Sequence, residues 1–149
     1  AVQVGLRDAS ALTTALAKMP RADAGYLVEA TVTDVVAEVL VAVRRDPPIG
    51  WLVSLGHGGV TTELWSDVVY LLAPVTAEQV RKALDQLRSA PLLHGFRGRP
   101  AADIEALVAL IVRLTAATVG SDIVEVELNP VLVGQRGAIA VDALMIVED

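Results

Sequence analysis

Near its C-terminus the chain carries two aliphatic runs, IVEVELNPVLV over residues 123–133 and AIAVDALMIV over 138–147, separated only by GQRG. A four-residue connection lets two strands meet as an antiparallel hairpin, whereas a parallel pair needs a crossover of a dozen or more residues. If the turn pairs Gly134 with Gly137, Asn129 lies directly opposite Asp142; a looser loop closing from Val133 and Ala138 gives the same register. Opposed side chains on an antiparallel pair share one face with their Cβ atoms roughly 4.5–5.5 Å apart. That spacing suits two oxygen ligands on a hard cation such as Mg2+, which binds oxygens at about 2.0–2.1 Å and takes one or two of them from protein. Glu127 falls on the same face, opposite Leu144, as a further or outer oxygen. Two facing polar residues on a hairpin equally suit a solvated rim, and spacing alone does not separate the two readings.

The rest of the chain must cover this hairpin with aliphatic side chains. Of 149 residues 54% are hydrophobic and only 3% aromatic, so the core is built from Val, Leu, Ile and Ala, and disorder is excluded. Eighteen acidic against twelve basic residues leave a net charge of −6, which argues against sequence-independent binding of nucleic acid or anionic membranes. Cysteine is absent, which removes disulfides, thiolate nucleophiles and thiolate metal sites and permits a reducing cytosol. The apolar stretches fall short of the roughly 20 residues of a membrane span, and no secretory signal is visible. The length suits one compact unit. The chain opens on Ala1 rather than methionine and reads as a piece of something longer.

Local patterns predict an α/β (α+β) fold with a mixed, mostly antiparallel sheet flanked by helices. Residues 2–6 read as a short strand. Asp8 caps a helix whose Leu12, Ala15, Leu16 and Met19 recur at helical spacing, and 26–32 read as a second strand. A strand from Glu38 to Arg44 places Val39, Val41 and Val43 on one face, and beyond the Pro47-Pro48 connection Trp51–Leu55 returns antiparallel to it. Gly56, Gly58 and Gly59 of GHGG allow a bulge or a ligand-facing turn. A buried strand follows Asp67, and Thr76 with Gln79 forms a capping box before a helix burying Val80, Ala83, Leu84 and Leu87. SAPLLHGFRGRP reads as a loop, and Ile104, Leu107, Val108, Ile111 and Leu114 mark a long amphipathic helix that Gly120 ends.

The pieces YLVEATVTDVVAEVLVAVRRDP, SLGHGGVTTELWSDVVYLLAP, LLHGFRGRPAADIEAL and VEVELNPVLVGQRGAIAVDA, in this order, resemble the ATP-grasp region of ADP-forming (NDP-forming) acyl-CoA synthetases. More distantly, LVEAT and LNP with the VDA strand resemble the β subunit of succinyl-CoA synthetase. The resemblance implies that residues 1–32 are the end of the first ATP-grasp lobe and its hinge strand, and 33–149 the second, C-terminal lobe. It assigns adenine contacts to the backbone of the hinge segment Glu29 to Val32, with Glu29, Ala30 and Val32 as nucleotide-binding positions, the ribose hydroxyls to Glu38, and Mg2+ to Asn129 and Asp142. The implied cofactors are ATP or ADP and Mg2+. The implied partners are the nucleotide, the remainder of the first lobe and the CoA-binding domains or subunit, with self-association as a homodimer through apolar surface left exposed. The implied setting is cytoplasmic. The implied reaction converts acyl-CoA, ADP and phosphate to acid, CoA and ATP through a phosphohistidine, with the catalytic residues outside this chain, which is incomplete alone.

Several residues depart from the family pattern. Leu144 stands where a basic residue is usual, His57 replaces an apolar residue, Glu127 replaces Asp, and Ile49-Gly50-Trp51 replaces Phe-Gly-Pro. Leucine neutralises no phosphate charge. These departures motivate a second reading, a degenerate regulatory domain of the kind that relatives fuse to a protein acetyltransferase. His57 reads as a phosphoryl carrier or a partly exposed loop residue, and His94 as a loop residue without a visible partner. Arg97 and Arg99 read as a phosphate clamp or as fasteners of their loop, and Glu63 and Asp67 as cleft-facing or merely solvated.

Overall fold

The computed structural model describes residues 1–59 and 66–148. The chain divides into two compact units, Ala1–Thr33 and Asp34–Asp149.

The first unit is built around α1 (Ala9–Lys18), begun where the Asp8 carboxylate accepts from the Ala11 N–H at 2.8 Å. The strands expected over 2–6 and 26–32 are not formed; both stretches run without regular secondary structure, and their apolar side chains Val2, Val4, Leu27 and Val28 stand exposed. Aliphatic β-branched sequence favours an extended backbone, but a strand exists only against a partner ladder, and these stretches pair with nothing among the described residues. With α1 they line a cleft of about 840 Å³.

The second unit is a six-stranded sheet with helices against one face. Its strands are β1 (Ala37–Asp46), β2 (Gly50–His57), β3 (Val68–Leu72), β4 (Ile123–Val133), β5 (Ala138–Ala140) and β6 (Ala143–Val147). The order is β3-β2-β1-β4-β5, with β6 also paired to β4, and every pairing among the described residues is antiparallel. The helices are α2 (Ala77–Gln86), α3 (Ala90–Leu93) and α4 (Ile104–Thr118). The two-residue period sends Val39, Val41 and Val43 of β1, Val53 and Leu55 of β2, and Val126, Leu128, Val131 and Val133 of β4 into one buried cluster with Val80, Leu84, Leu107 and Ile111 of the helices. The Thr76–Gln79 capping box starts α2 as expected. Within the expected loop 89–100, Ala90–Leu93 forms a helical turn, because Pro91 sits where a helix tolerates it and Ala90 and Leu93 are drawn into the core. Among the described residues no helix is long and apolar enough to cross a membrane.

Two local features place the residues of interest. Val39 pairs with Val131 while Val41 pairs with Leu128, so β4 carries an extra residue against β1, a bulge at Asn129-Pro130. On its other side β4 shifts register only near its start, between Ile123 and Glu125, and from Glu125 to Val133 the pairs share one register, with Leu128 opposite Ala143 and Val131 opposite Ala140. The expected final strand is broken between these pairs at Val141 and Asp142 and becomes β5 and β6, joined to β4 at the break by the Val141 N–H donating to the Pro130 carbonyl at 3.2 Å.

The hairpin turn is clamped from two sides. Asp103 caps α4 through the Ala106 N–H at 3.0 Å and accepts the Gly137 N–H at 2.8 Å, while Asp34 accepts from the Gln135 backbone N–H and side-chain amide at 3.2 and 3.3 Å. The Gly137 N–H, then that of Ala106, holds the Asp103 carboxyl below its usual pKa. A depressed folded pKa contributes stability above the unfolded value of about 3.9, and that contribution disappears as pH falls through the folded value. Asp103→Ala is therefore expected to lower the Tm by several degrees at pH 7, with the gap from the unaltered chain closing in strong acid. Thermal unfolding by circular dichroism across pH checks it; a gap independent of pH rejects the electrostatic part.

Candidate functional site

The sheet face that carries no helix among the described residues holds the polar residues singled out in the sequence. Glu38 and Glu127 occupy β1 and β4 at positions alternating with buried Val39, Val126 and Leu128, and are half-buried. Asn129 sits on the β4 bulge. Its side-chain oxygen accepts from the Gly59 N–H at 3.2 Å, and its amide nitrogen donates to Glu127 Oε1 at 3.4 Å. The pairs that bracket the break, Leu128 with Ala143 and Val131 with Ala140, leave exposed Asp142 at the position across from Asn129, where one carboxylate oxygen accepts from the Ala143 N–H at 2.9 Å. Leu144, paired with Glu127, is exposed.

Gly58 and Gly59 connect these groups. The Gly58 N–H donates to the Glu38 carbonyl at 2.9 Å. A Cβ on Gly58 would lie 2.7 Å from the Val39 carbonyl carbon, and one on Gly59, at φ +78°, would run into the Glu38 carboxylate. The residue type is thus set by contact as well as by backbone angle. Among the described residues no ion pair engages Glu38, Glu127 or Asp142, and no group of three or more His, Cys, Asp or Glu side chains gathers as a metal site. One amide oxygen and one carboxylate match the chemistry of Mg2+, which takes few ligands from protein and the rest from phosphate and water.

The other candidates fall elsewhere. Glu29 and Ala30 are exposed in the first unit and line its cleft, and Val32 is half-buried nearby in sequence. His57 ends β2, its N–H donating to the Asp67 carbonyl at 3.1 Å, so it is a strand residue rather than a loop one. His94 has a partner after all, Asp85 near the end of α2, at 2.8 Å across the α2–α3 junction. The Arg97 guanidinium lies 5.4 Å from the Phe96 ring centre, and the Arg99 N–H closes the loop onto the Phe96 carbonyl. Glu63 lies outside the described residues.

Asp67 corrects both sequence readings, for it is neither cleft-facing nor solvated. It is 5% exposed and accepts the backbone N–H groups of Arg88 and Ser89, each at 2.8 Å. Burial raises its pKa, yet the bonds from Ser89 and Arg88 and the nearby Arg88 charge outweigh that and leave it lowered. Only a fold that brings the α2–α3 junction onto the start of β3 makes this visible; the local signal, an acidic residue beside a strand, is too common to read.

A family model described as the ATP-grasp domain matches residues 1–147. The chain belongs to the ATP-grasp family. It is 35% identical over 115 residues to the β subunit of ADP-forming acetate–CoA ligase II of Pyrococcus furiosus, covering 74% of this chain and 49% of that one. It is 41% identical over 114 residues to a trans-feruloyl-CoA synthase from an unknown prokaryotic organism, covering 74% of this chain and 16% of that protein. Among solved structures, the dinucleotide-forming acetyl-coenzyme A synthetase 1 of Candidatus Korarchaeum cryptofilum superposes with a TM-score of 0.72 at 34% identity, over 75% of this chain and 53% of that chain; that protein was solved with coenzyme A and Mg-AMPPCP. This ATP-grasp chain thus spans about half the length of the β subunit it matches, and a smaller share of the longer synthase.

Proposed function

We propose that this chain is the nucleotide- and Mg2+-binding part of the ATP-grasp module of an ADP-forming acyl-CoA synthetase, which converts acyl-CoA, ADP and phosphate to acid, CoA and ATP. The observation that carries this is the register of the pairs bracketing Asn129 and Asp142, Leu128 with Ala143 and Val131 with Ala140, on the sheet that also bears half-buried Glu38 and Glu127. It is supported by the relatives' printed activities and by the Mg-AMPPCP of the Korarchaeum synthetase. In this reading 1–32 close the first lobe and 33–149 form the second. Glu29, Ala30 and Val32 offer backbone groups to adenine in the first unit; in the second, the Glu38 carboxylate accepts from both ribose hydroxyls. Asn129 and Asp142 hold Mg2+, which neutralises phosphate charge when bound. These residues bind and orient the nucleotide, while the phosphohistidine, the rest of the first lobe and the CoA-binding parts belong to other segments or subunits.

The test is nucleotide binding by the full-length enzyme. Glu38→Gln keeps the size of the side chain and removes its charge, and is expected to weaken ADP binding about tenfold with little change in kcat, as for lost ground-state binding. Unchanged ADP affinity removes Glu38 from the site. Exposed Leu144 beside Glu127 favours a second reading, a nucleotide-responsive regulatory domain without turnover. Nucleotide binding without any acyl-CoA-dependent ATP formation by the full-length protein would favour it.

A further inference from the structure

β2 and β4 flank β1, yet the turn that leaves β2 bonds to β4. It does so by folding over β1 at Glu38 and Val39, where a Cβ on Gly58 would meet the β1 backbone and one on Gly59 the Glu38 carboxylate. The consequence falls on Asn129, whose amide has an oxygen at one end and a nitrogen at the other, nearly equal in shape and opposite in use toward a cation. The Gly59 N–H donates to the oxygen and Glu127 accepts from the nitrogen, so the two contacts together select one orientation. The same glycine leaves the space that the Glu38 carboxylate fills.

We infer that Gly59 is a positioning residue: its N–H fixes which end of Asn129 faces the cation, and its missing side chain seats Glu38, so one turn sets the metal and ribose contacts together. This rests on the assignment of Asn129 and Asp142 to Mg2+. Partners that orient a metal ligand are worth roughly 10–100-fold in metal affinity.

The experiment is Mg2+ titration of nucleotide turnover in the full-length enzyme. Gly59→Ala, which strains the left-handed backbone, is expected to raise the Mg2+ requirement about 10-fold or more and leave the acyl-CoA KM unchanged. Gly59→Asn, a residue that tolerates this backbone, changes the Mg2+ requirement less than about threefold while the nucleotide KM rises as Glu38 is displaced. In the Asn129→Asp background both side-chain ends are oxygens, so Gly59→Ala costs less than about threefold there; a loss through general damage to the fold would persist. Where Gly59→Ala does not fold, exchange of the Gly59 amide hydrogen serves, expected about tenfold faster in Asn129→Ala. An unchanged Mg2+ requirement in folded Gly59→Ala, or unchanged exchange in Asn129→Ala, overturns the inference, provided Asp142→Ala shifts the Mg2+ requirement. If Asp142→Ala shifts nothing, the metal assignment itself fails.

Discussion

Replacing Asp142 with alanine in the full-length enzyme is expected to lower Mg2+-dependent nucleotide turnover at least about 100-fold. Asp142 would supply the charged ligand of the pair, Asn129 being neutral, and it lies exposed at the break between β5 and β6, held by the Ala143 N–H through one oxygen. Among the described residues no buried group depends on it, so the substitution should leave Tm within about a degree, as for a surface change. A loss of about 3 kcal/mol in transition-state stabilisation corresponds to roughly a 100-fold rate effect, within the several kcal/mol that a charge-neutralising cation supplies. Asp142→Asn keeps an oxygen without the charge and should fall between the two, recovering partly at high Mg2+. Steady-state turnover against Mg2+ concentration, with thermal unfolding as control, decides the matter. Full activity in Asp142→Ala at ordinary Mg2+ would remove the residue from the mechanism.

The largest effect on stability is expected at Asp67. Asp67→Ala removes the acceptor for two backbone N–H groups at the α2–α3 junction, one of them fully buried. An unpaired buried donor costs roughly 1–3 kcal/mol, so the loss should be about 2–4 kcal/mol, a large part of a typical stability of about 5–15. For a chain of this size that lowers Tm by about 10 °C. Asp67→Asn retains one acceptor and should cost about half as much. Because the hydrogen bonds lower the folded pKa despite burial, this stabilisation is present above the unfolded value of about 3.9 and is lost as pH falls through the depressed folded value. Denaturant titrations at neutral and acid pH measure both effects; a loss below about 1 kcal/mol at neutral pH would show that water replaces the carboxylate at no great cost.

These two aspartates mark how far the sequence reaches. The position of Asp142 follows from a four-residue turn and the two-residue period of strands, both local, and the observed pairs on either side agree with that arithmetic. The caps at Asp8 and Thr76 were legible for the same reason, since donor and acceptor lie three residues apart. Asp67 was not, because its partners lie 21 and 22 residues away across a helix. The Gly59 contact with Asn129 spans 70 residues. Glycine-rich GHGG announced a special turn, but nothing in it says which strand that turn reaches.

The stretches 2–6 and 26–32 show the converse limit. Their composition is that of strands, but a strand is a property of a pair, and in this chain their backbone pairs with nothing among the described residues. By itself, then, the sequence determined the hairpin register, the starts of α1 and α2, the aliphatic core faces and the family likeness, because each depends on neighbours or on a fixed period. The tertiary structure alone decided that β4 bulges at Asn129, that the final strand breaks beside it, that Asp67 is buried, and that a glycine turn crosses β1 to reach the bulge. Each of these depends on long-range contacts whose partners are chosen only when the sheet and its helices close on one core.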